Sequence, residues 1–323
     1  MSSPETLIDP ELRSAGRLFK LLVRPSKWFW KLMRASGRKQ EGKAPQGTKL
    51  QQIWIDGSAG PKSLRVCVFR TDEGGESAEL PIVLYLHGGG YAMGNPESAG
   101  EVIARMVKAR PCVVVAPDYR KSLDAPYPAA IDDCYATLEW ADVNRKQIGA
   151  NAAPIAVIGH SAGGGLTLAT CLRARDRSGP KIAFQMPIYP MIDDRMTLPS
   201  ATDNRAPVWN SKSNALAWSL YLGELGVGDQ TVPYDAAPAR AKNLSGMPPT
   251  ATFVGSLDPF LDETSRMADQ LRRNGVPSAF EVFEGAFHAS ELLVPKAKIS
   301  RKANAYFLKA FEDGMDGDFK QWS

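Results

Sequence analysis

The sequence predicts an α/β protein in which helices cover a mostly parallel sheet. Short apolar runs alternate with segments of helical spacing along most of the chain, which is the pattern of parallel strands joined by helices. One of these runs, 81–86, is apolar without interruption, as expected for a strand buried on both faces. Open sheets of this kind bind ligands beside the carboxyl ends of their strands, so functional loops are expected there.

The first elements of the sheet are two strand-like runs, at 51–55 and 64–70, which flank a Gly/Pro turn and predict an antiparallel pair. A polar loop is expected at 71–79. Further strands are predicted at 112–116, 154–158, 182–188, 249–254 and 278–283. Helices are predicted at 99–109, 127–145, directly after Ser161, and at 213–225, 263–274 and 295–312.

The alternation stops between about 193 and 244, where Ser, Asn, Pro and aromatic residues dominate. An insertion there would emerge beside the carboxyl ends of the strands, so it is interpreted as a lid. We therefore expect three parts: an N-terminal helical part of a cap at 1–48, an inserted part at 193–244, and a main α/β domain formed by 49–192 and 245–323.

Length and composition favour one soluble protein with a large core. The chain has 323 residues, 44% of them hydrophobic and 23% charged, which is ordinary for a globular protein. No apolar run approaches the roughly 20 residues that span a bilayer. The N-terminus has no apolar signal core with a small-residue cleavage site, so a cytoplasmic location is expected.

The four cysteines, Cys67, Cys112, Cys134 and Cys171, are widely separated and lie mostly in apolar segments. They form neither a CxxC pair nor a Cys/His ligand spacing, which argues against a zinc site and a disulfide framework. Buried free thiols in a reducing compartment are the better interpretation.

Positive charge is concentrated at the N-terminus. Residues 1–50 hold 11 Lys/Arg against 4 Asp/Glu, a balance of +7, so the remainder carries −3 of the overall +4. Residues 1–16 are polar and show no clear helix or strand pattern. From 17 to 38 the spacing predicts an amphipathic helix that Pro25 kinks or splits. Its basic face is Arg17, Lys20, Arg24, Lys27, Lys31, Arg34 and Arg38, and its apolar face is Leu18, Phe19, Leu21, Leu22, Trp28, Phe29, Leu32 and Met33.

Two interpretations of this N-terminal segment stay open. Its apolar side packs onto the body of the protein, or residues 17–39 contact an anionic membrane surface. Nucleic-acid binding is disfavoured, because no basic recognition motif accompanies the stripe and the body is net acidic.

Ser161 has the sequence context of a nucleophile. The strand-like run 154–158 precedes Gly159-x-Ser161-x-Gly163, and helical spacing follows it. A serine on a sharp strand-to-helix turn has its hydroxyl held clear of the backbone, and the turn requires small residues two positions before and after it. Gly159 and Gly163 meet that requirement.

A serine hydroxyl is a weak nucleophile at neutral pH and needs a base, which in turn needs a partner. The chain has three histidines. His160 sits beside the serine, with its side chain directed away by the turn, and His87 belongs to a glycine run after a strand. His288 lies in a loop after the strand predicted at 278–283, and elimination leaves it as the base.

The acid is expected between the serine and the histidine, after a strand. Asp258 fulfils this condition, since it follows the strand predicted at 249–254. Its alternative interpretation is a turn or capping aspartate before Pro259. Asp262 is the second candidate, although its position at the start of a helix suggests an N-terminal helical role.

Hydrolysis of an ester or amide passes through a tetrahedral oxyanion that needs preorganised donors. The run from His87 through Gly88, Gly89 and Gly90 directly follows the strand at 81–86. Glycines let backbone N–H groups approach a substrate without an obstructing side chain. Gly88 and Gly89 are therefore predicted donors, with the N–H of Ala162 at the helix start. His87 and Gly90 are expected to support this loop.

In these motifs the chain resembles the hormone-sensitive-lipase branch of the α/β-hydrolase fold, the bacterial esterases with an HGGG motif. The similarity covers most of the chain and includes 87–91, 118–120, 125–130, 159–164, Asp258-Pro259 and His288. It implies an eight-stranded, mostly parallel sheet, a helical cap built from the N-terminus and the insertion, and hydrolysis of short to medium acyl esters through an acyl-enzyme. Some members of this branch form dimers through the sheet edge.

Three positions depart from this branch. His160 stands where an acidic residue is common, so extra cationic capacity beside the serine is expected. The segment 120–124 replaces a more apolar, proline-containing run, and Ala289 stands where a glycine usually follows the histidine. None of the three removes a catalytic group.

The sequence therefore predicts a serine carboxylesterase acting on a small-molecule ester, as a monomer or homodimer, with no cofactor and no metal. The same machinery also fits an amidase, a formamidase, a carbamate hydrolase or a lactonase. A non-catalytic ligand receptor on this fold is a further alternative, which the presence of serine, acid, histidine and glycine run disfavours.

Overall fold

The computed structural model describes residues 7–71, 80–150 and 153–322, and the side chain of residue 321 is not described. Within these ranges eight strands form one sheet. They are β1 (Thr48–Gly57), β2 (Gly60–Thr71), β3 (Ile82–Leu86), β4 (Val113–Pro117), β5 (Ile155–His160), β6 (Ile182–Ile188), β7 (Thr250–Gly255) and β8 (Ser278–Phe283).

The strand order is β1-β2-β4-β3-β5-β6-β7-β8. β2 pairs antiparallel with β1 and with β4, and all the other pairs are parallel. The predicted hairpin and the mostly parallel eight-stranded sheet are thus confirmed. Most of the predicted loop at 71–79 and residues 1–6 lie outside the described residues.

Nine α-helices occur in the described part of the chain. They are α1 (Arg13–Leu22), α2 (Lys27–Gly37), α3 (Gly100–Ala109), α4 (Ala129–Val143), α5 (Ala162–Asp176), α6 (Ser211–Leu222), α7 (Leu261–Arg273), α8 (Ser290–Leu293) and α9 (Lys298–Asp316). The predicted helices agree with these to within a few residues. There are two differences. The helix α1 begins within residues 1–16, for which no helix was predicted, and the short helix α8 has no periodic pattern that would predict it.

The alternation of side chains along the central strands builds one core on each face of the sheet. On β3, Ile82, Leu84 and Leu86 face a core that also holds Leu138 of α4. Val83 and Tyr85 face the opposite core, with side chains of α3 and α9. Because both faces are covered, the uninterrupted apolar run at 81–86 is explained by burial on both sides.

The N-terminal segment is two helices, because the chain is split around Pro25. Trp30 of α2 is buried and stacks on Trp209, with ring centroids 5.6 Å apart and planes at 15°. The expectation that the apolar side packs onto the body holds only in part. Phe19 and Phe29 are half-buried, whereas Leu18, Leu21, Leu22, Trp28, Leu32 and Met33 are exposed.

Four segments that hold predicted site residues follow parallel strands of the sheet. Residues 87–90 follow β3, Ser161 follows β5, Asp258 follows β7 and His288 follows β8. Since these strands are parallel, their carboxyl ends meet at the same edge, and the segments converge there.

Candidate active site

Ser161 lies on the turn between β5 and α5 and has an unusual backbone conformation, with φ 59° and ψ −121°. Its N–H donates to the carbonyl oxygen of Ile188, at 2.9 Å, which ties the turn to β6. A Cβ at Gly163 would lie 2.0 Å from the carbonyl oxygen of Leu86, and one at Gly159 would lie 2.3 Å from that of Gly163. The backbone approaches too closely at both positions for any side chain, as the sequence predicts.

The side chains of Ser161, His288 and Asp258 form a continuous hydrogen-bonded chain. Oγ of Ser161 lies 2.9 Å from Nε2 of His288. Nδ1 of His288 lies 2.7 Å from Oδ2 of Asp258. Because the carboxylate accepts only, Nδ1 carries the proton and donates to it, which leaves Nε2 to accept from the serine hydroxyl. The imidazole is thereby held in the tautomer of a general base.

Asp258 is fixed within this chain by its own surroundings. Its side chain is fully buried, and its second oxygen, Oδ1, accepts the N–H of Phe260 at 3.0 Å. Asp262 has a different environment. Its Oδ2 accepts the N–H of Ser200 at 2.7 Å, which joins the start of α7 to the segment 193–244. Of the two candidates, the structure brings Asp258 to the histidine.

The glycine run after β3 lies against the serine turn. A Cβ at Gly88 would sit 3.5 Å from Cβ of Ser161. Gly89 has φ +126°, and a Cβ there would overlap the carbonyl of Met93 at 2.3 Å, so only glycine fits. Within the described residues, the N–H groups of Gly88 and Gly89 have no hydrogen-bond acceptor. Ala162 opens α5, where N–H groups lack an intrahelical partner.

His87 supports this loop from behind. Its Nδ1 lies 2.8 Å from the carbonyl oxygen of Gly88, and its ring stacks on Tyr119 with centroids 4.2 Å apart. The hydroxyl of Tyr119 donates to the carbonyl oxygen of His87, at 2.8 Å. Burial lowers the pKa of His87 to about 3, so the ring is neutral at pH 7. Gly90 packs against Trp209, where a Cβ would come within 2.3 Å of the indole.

The expectation of extra cationic capacity at His160 is wrong. Its side chain is buried, and Nδ1 is hydrogen-bonded to the hydroxyl of Tyr85 at 2.9 Å. Burial lowers the pKa of His160 to about 3, and the positive charge of Arg105 lowers it further. The ring therefore stays neutral at pH 7, and it packs against Tyr189 and Phe307.

An aromatic setting around His288 was not foreseen. The ring of Tyr189 stands edge-on to the imidazole with centroids 4.8 Å apart, and Phe260 does so at 5.3 Å. The hydroxyl of Tyr189 donates to Oε1 of Glu291 at 2.6 Å, which locks the tyrosine in place. Burial raises the pKa of the Glu291 carboxyl. No sequence signal marks these residues, since Glu291 sits in a four-residue helix and Tyr189 follows a strand without a motif.

A cavity of about 680 Å³ opens onto Ser161 and His288. The glycine loop and Trp209 form part of its wall. The N-terminal helices and the turn between them contribute Phe19, Val23, Phe29, Trp30 and Met33. The lining is mainly apolar, and the polar groups converge at the serine, which is the usual composition of a site for a small organic molecule.

The arrangement contains the parts that acyl transfer requires. A serine is hydrogen-bonded to a base, the base is oriented by a buried carboxylate, and free backbone donors lie beside the serine. An ester carbonyl placed at Ser161 would lie next to all three.

Comparison with known proteins identifies the family of this chain. The sequence profile of the α/β-hydrolase fold family matches residues 83–292, and the chain belongs to that family. Esterase LipI of Mycobacterium tuberculosis is 38% identical over 230 residues, which is 71% of each chain. Carboxylesterase NlhH of the same species is 37% identical over 201 residues, 61% of this chain and 62% of NlhH.

The fold also matches a solved structure over nearly its whole length. A bacterial heroin esterase superimposes with a TM-score of 0.88 at 31% identity, covering 97% of this chain and 99% of that one. An esterase LipW from Mycobacterium marinum gives a TM-score of 0.81 at 29% identity, covering 97% of both chains. These four similar proteins are thus all named esterases.

Proposed function

We propose that this protein is a serine carboxylesterase in which Ser161 is the nucleophile, His288 the general base and Asp258 the acid that orients it. The observation that carries the proposal is the pair of hydrogen bonds, 2.9 Å from Ser161 to His288 and 2.7 Å from His288 to Asp258. The esterase relatives at 37–38% identity support the same reaction class.

In the acylation half, Oγ of Ser161 attacks the ester carbonyl while Nε2 of His288 takes the hydroxyl proton. The carbonyl oxygen becomes an oxyanion, which the N–H groups of Gly88, Gly89 and Ala162 stabilise. The C–O bond to the alcohol then breaks, and the leaving oxygen takes the proton from His288. The alcohol departs and the acyl group stays on Ser161.

In the deacylation half, water replaces the alcohol. His288 takes a proton from the water as its oxygen attacks the acyl-enzyme carbonyl, and a second oxyanion forms at the same donors. Collapse breaks the bond to Oγ of Ser161, which recovers its proton from His288, and the carboxylic acid leaves. These steps use only groups of the chain and water, so we propose no metal and no organic cofactor.

The proposed substrates are small esters with short to medium acyl chains, held in the mainly apolar cavity of about 680 Å³. A cap made of 1–48 and 193–244 is proposed to cover the catalytic domain, 49–192 and 245–323. The stacking of Trp30 on Trp209 supports this arrangement, because it joins the two cap segments over the cavity.

A fluorophosphonate probe tests the nucleophile. The wild type is expected to be labelled and Ser161→Ala to be unlabelled, while Ser245→Ala, at an exposed serine, is labelled like the wild type. A folded wild type that takes up no label would overturn the assignment. Hydrolysis of p-nitrophenyl esters from acetate to palmitate tests the substrate class. Amide, formamide, carbamate and lactone controls identify an amidase, formamidase or lactonase if one of them is the faster substrate.

We further propose that the protein acts in the cytoplasm as a monomer or homodimer, and that residues 17–39 contact an anionic membrane surface. None of the helices in the described ranges is long and apolar enough to cross a membrane. Light scattering after size-exclusion chromatography gives the oligomeric state directly.

A further inference from the structure

The N-terminal helices expose a group of large apolar side chains, which we call the outer face of α1 and α2. Its members are Leu18, Leu21, Leu22, Trp28, Leu32 and Met33. Trp28 is 74% exposed and Leu21 is 72% exposed. Scattered apolar residues are normal on a protein surface, but six within 16 positions form a patch of the kind that marks an interaction site.

Packing against the body does not account for these six residues. The inward side of α1 is formed by Leu12, Gly16 and Phe19, which recur at helical spacing and are buried or half-buried. Trp30 has this role in α2. Leu18, Leu21 and Leu22 lie on the other side of α1, so they remain exposed while the helix is fully docked.

The charges around the outer face indicate what kind of partner it binds. Exposed cations lie on both helices, between them and just after α2, and between Glu11 and Glu41 the sequence has no acidic residue. These cations are Lys20, Arg24, Lys27, Lys31, Arg38 and Lys39. A helix pair with an apolar centre and a basic border complements the interface of an anionic bilayer. A second copy of the chain fits less well, because two such borders would repel each other.

The outer face continues into the opening of the active-site cavity. Met33 belongs to the face, is 48% exposed and also lines the cavity. Leu293 of α8 lines the same cavity and is 43% exposed. Side chains that are both exposed and part of the lining stand at an opening, so the cavity opens at the edge of this apolar surface. Phe19 and Phe29 line it from the inner side of the same helices.

We infer that the outer face of α1 and α2 docks on anionic lipid bilayers and that the cavity opens toward the bilayer, so that substrates are esters dissolved in the membrane. The inference rests on the proposed esterase activity for its substrate class, but the docking itself does not depend on it. Apolar side chains enter the headgroup region, and the basic border contacts lipid phosphates.

Vesicle flotation tests the docking with the full chain. Binding is expected to vesicles of phosphatidylcholine and phosphatidylglycerol, to be at least about tenfold weaker to phosphatidylcholine alone, and to weaken with added salt. The double variant Lys27→Glu/Lys31→Glu is expected to lose at least about tenfold in partition coefficient. Trp28→Ser/Leu21→Ser should lose a similar factor, because both side chains would leave the interface.

The matched controls change the same residue types elsewhere. Val143, on α4, is 82% exposed, and Lys302, on α9, is also exposed. Val143→Ser and Lys302→Glu should bind vesicles like the wild type. Because all the altered side chains are exposed, circular dichroism and unfolding midpoints are expected to stay unchanged, so a loss of binding reports the surface and not the fold.

Assays with two substrates test this inference and the proposed function independently. With a water-soluble p-nitrophenyl acetate, the outer-face variants should match the wild type. With a medium-chain ester that partitions into anionic vesicles, they should be at least about tenfold slower. If neither ester is hydrolysed but vesicles are bound, the proposed function fails and the docking stands.

Absence of binding to anionic vesicles, or equal binding by the outer-face variants, would overturn the docking. A wild-type dimer that both double variants convert to monomers would overturn it in favour of a second copy. Equal loss on both esters would overturn the orientation of the cavity toward the bilayer.

Discussion

The carboxylate of Asp258 and the imidazole of His288 are hydrogen-bonded at 2.7 Å although 30 residues separate them in the chain. The bond spans the ends of β7 and β8, which are parallel neighbours in the sheet. It defines which ring nitrogen carries the proton, and therefore which nitrogen faces Ser161.

Replacing Asp258 by Asn should lower kcat by roughly 10³–10⁴-fold, because the amide no longer favours the tautomer with a proton on Nδ1. Asp262→Asn should stay within about twofold of the wild type, since an amide oxygen can still accept the N–H of Ser200. Steady-state kinetics on p-nitrophenyl butyrate would measure both. If only the Asp262 variant lost turnover, the assignment of the acid would be wrong.

Gly163→Ala should destabilise the protein by about 3 kcal/mol, because its Cβ would lie 2.0 Å from the carbonyl oxygen of Leu86 and neither backbone can yield easily. Gly37→Ala is the matched control. Apart from its chain neighbours and its own helix backbone, none of the described residues has an atom within 4 Å of a Cβ at Gly37, and the residue ends a helix with ordinary helical dihedral angles. Urea unfolding should show a change of at most about 1 kcal/mol there. Similar losses in both variants would contradict the close approach at the serine turn.

His160 should make the protein less stable in acid. Burial lowers its folded-state pKa to about 3, whereas the unfolded chain binds a proton near pH 6.5. Between these values the unfolded state holds more protons, so the free energy of unfolding falls as pH falls from about 6.5 toward 3. Urea unfolding at neutral and at mildly acidic pH should show a smaller loss for His160→Asn than for the wild type. His87 remains in both proteins and contributes in the same direction.

Equal acid sensitivity in the two proteins would show that His160 is protonated in the folded state. In the described part of the chain, the rings and charged groups that face it are Tyr85 on β3, Tyr189 after β6, Arg105 on α3, His288 after β8 and Phe307 on α9. None of these offers a negative charge at neutral pH, which is why the neutral ring is favoured.

The stacked pair of Trp30 and Trp209 should couple the N-terminal helices to the segment 193–244. A double-mutant cycle with Trp30→Ala and Trp209→Ala is expected to give a coupling free energy of about 0.5–1.5 kcal/mol. Trp28, which is exposed, serves as the control, and its cycle with Trp209 should give about zero. Equal coupling in the two cycles would argue against a cap joined at this stack.

The sequence was sufficient to predict those site residues whose neighbours in the chain indicate their role. Ser161 is identified by its flanking glycines, and Asp258 and His288 by their places after successive strands. The predicted parallel strands also indicate that these residues are close in space, because the carboxyl ends of parallel strands lie at the same edge of the sheet. The same reasoning preferred Asp258 but kept Asp262, four positions further on, as the second candidate. The contact with His288 distinguishes them.

The sequence could not show which individual polar and aromatic side chains are buried around the site. His160 looked like an added cation, but Tyr85, Tyr189 and Phe307 enclose it from elements far away in the chain. The pairing of Tyr189 with Glu291 likewise joins residues 102 positions apart, without a motif at either end. One of the two interpretations of the N-terminal helices has their apolar face packed onto the body, but each helix buries a narrower strip than its composition suggests.

The backbone of Ser161 has a further consequence for the evolution of this protein. A residue other than glycine at φ 59° and ψ −121° is strained by about 1–3 kcal/mol. Glycine at this position would relax the strain and remove the hydroxyl in one step. Selection for thermal robustness alone would therefore favour loss of the proposed nucleophile at position 161, and selection for turnover would oppose that loss.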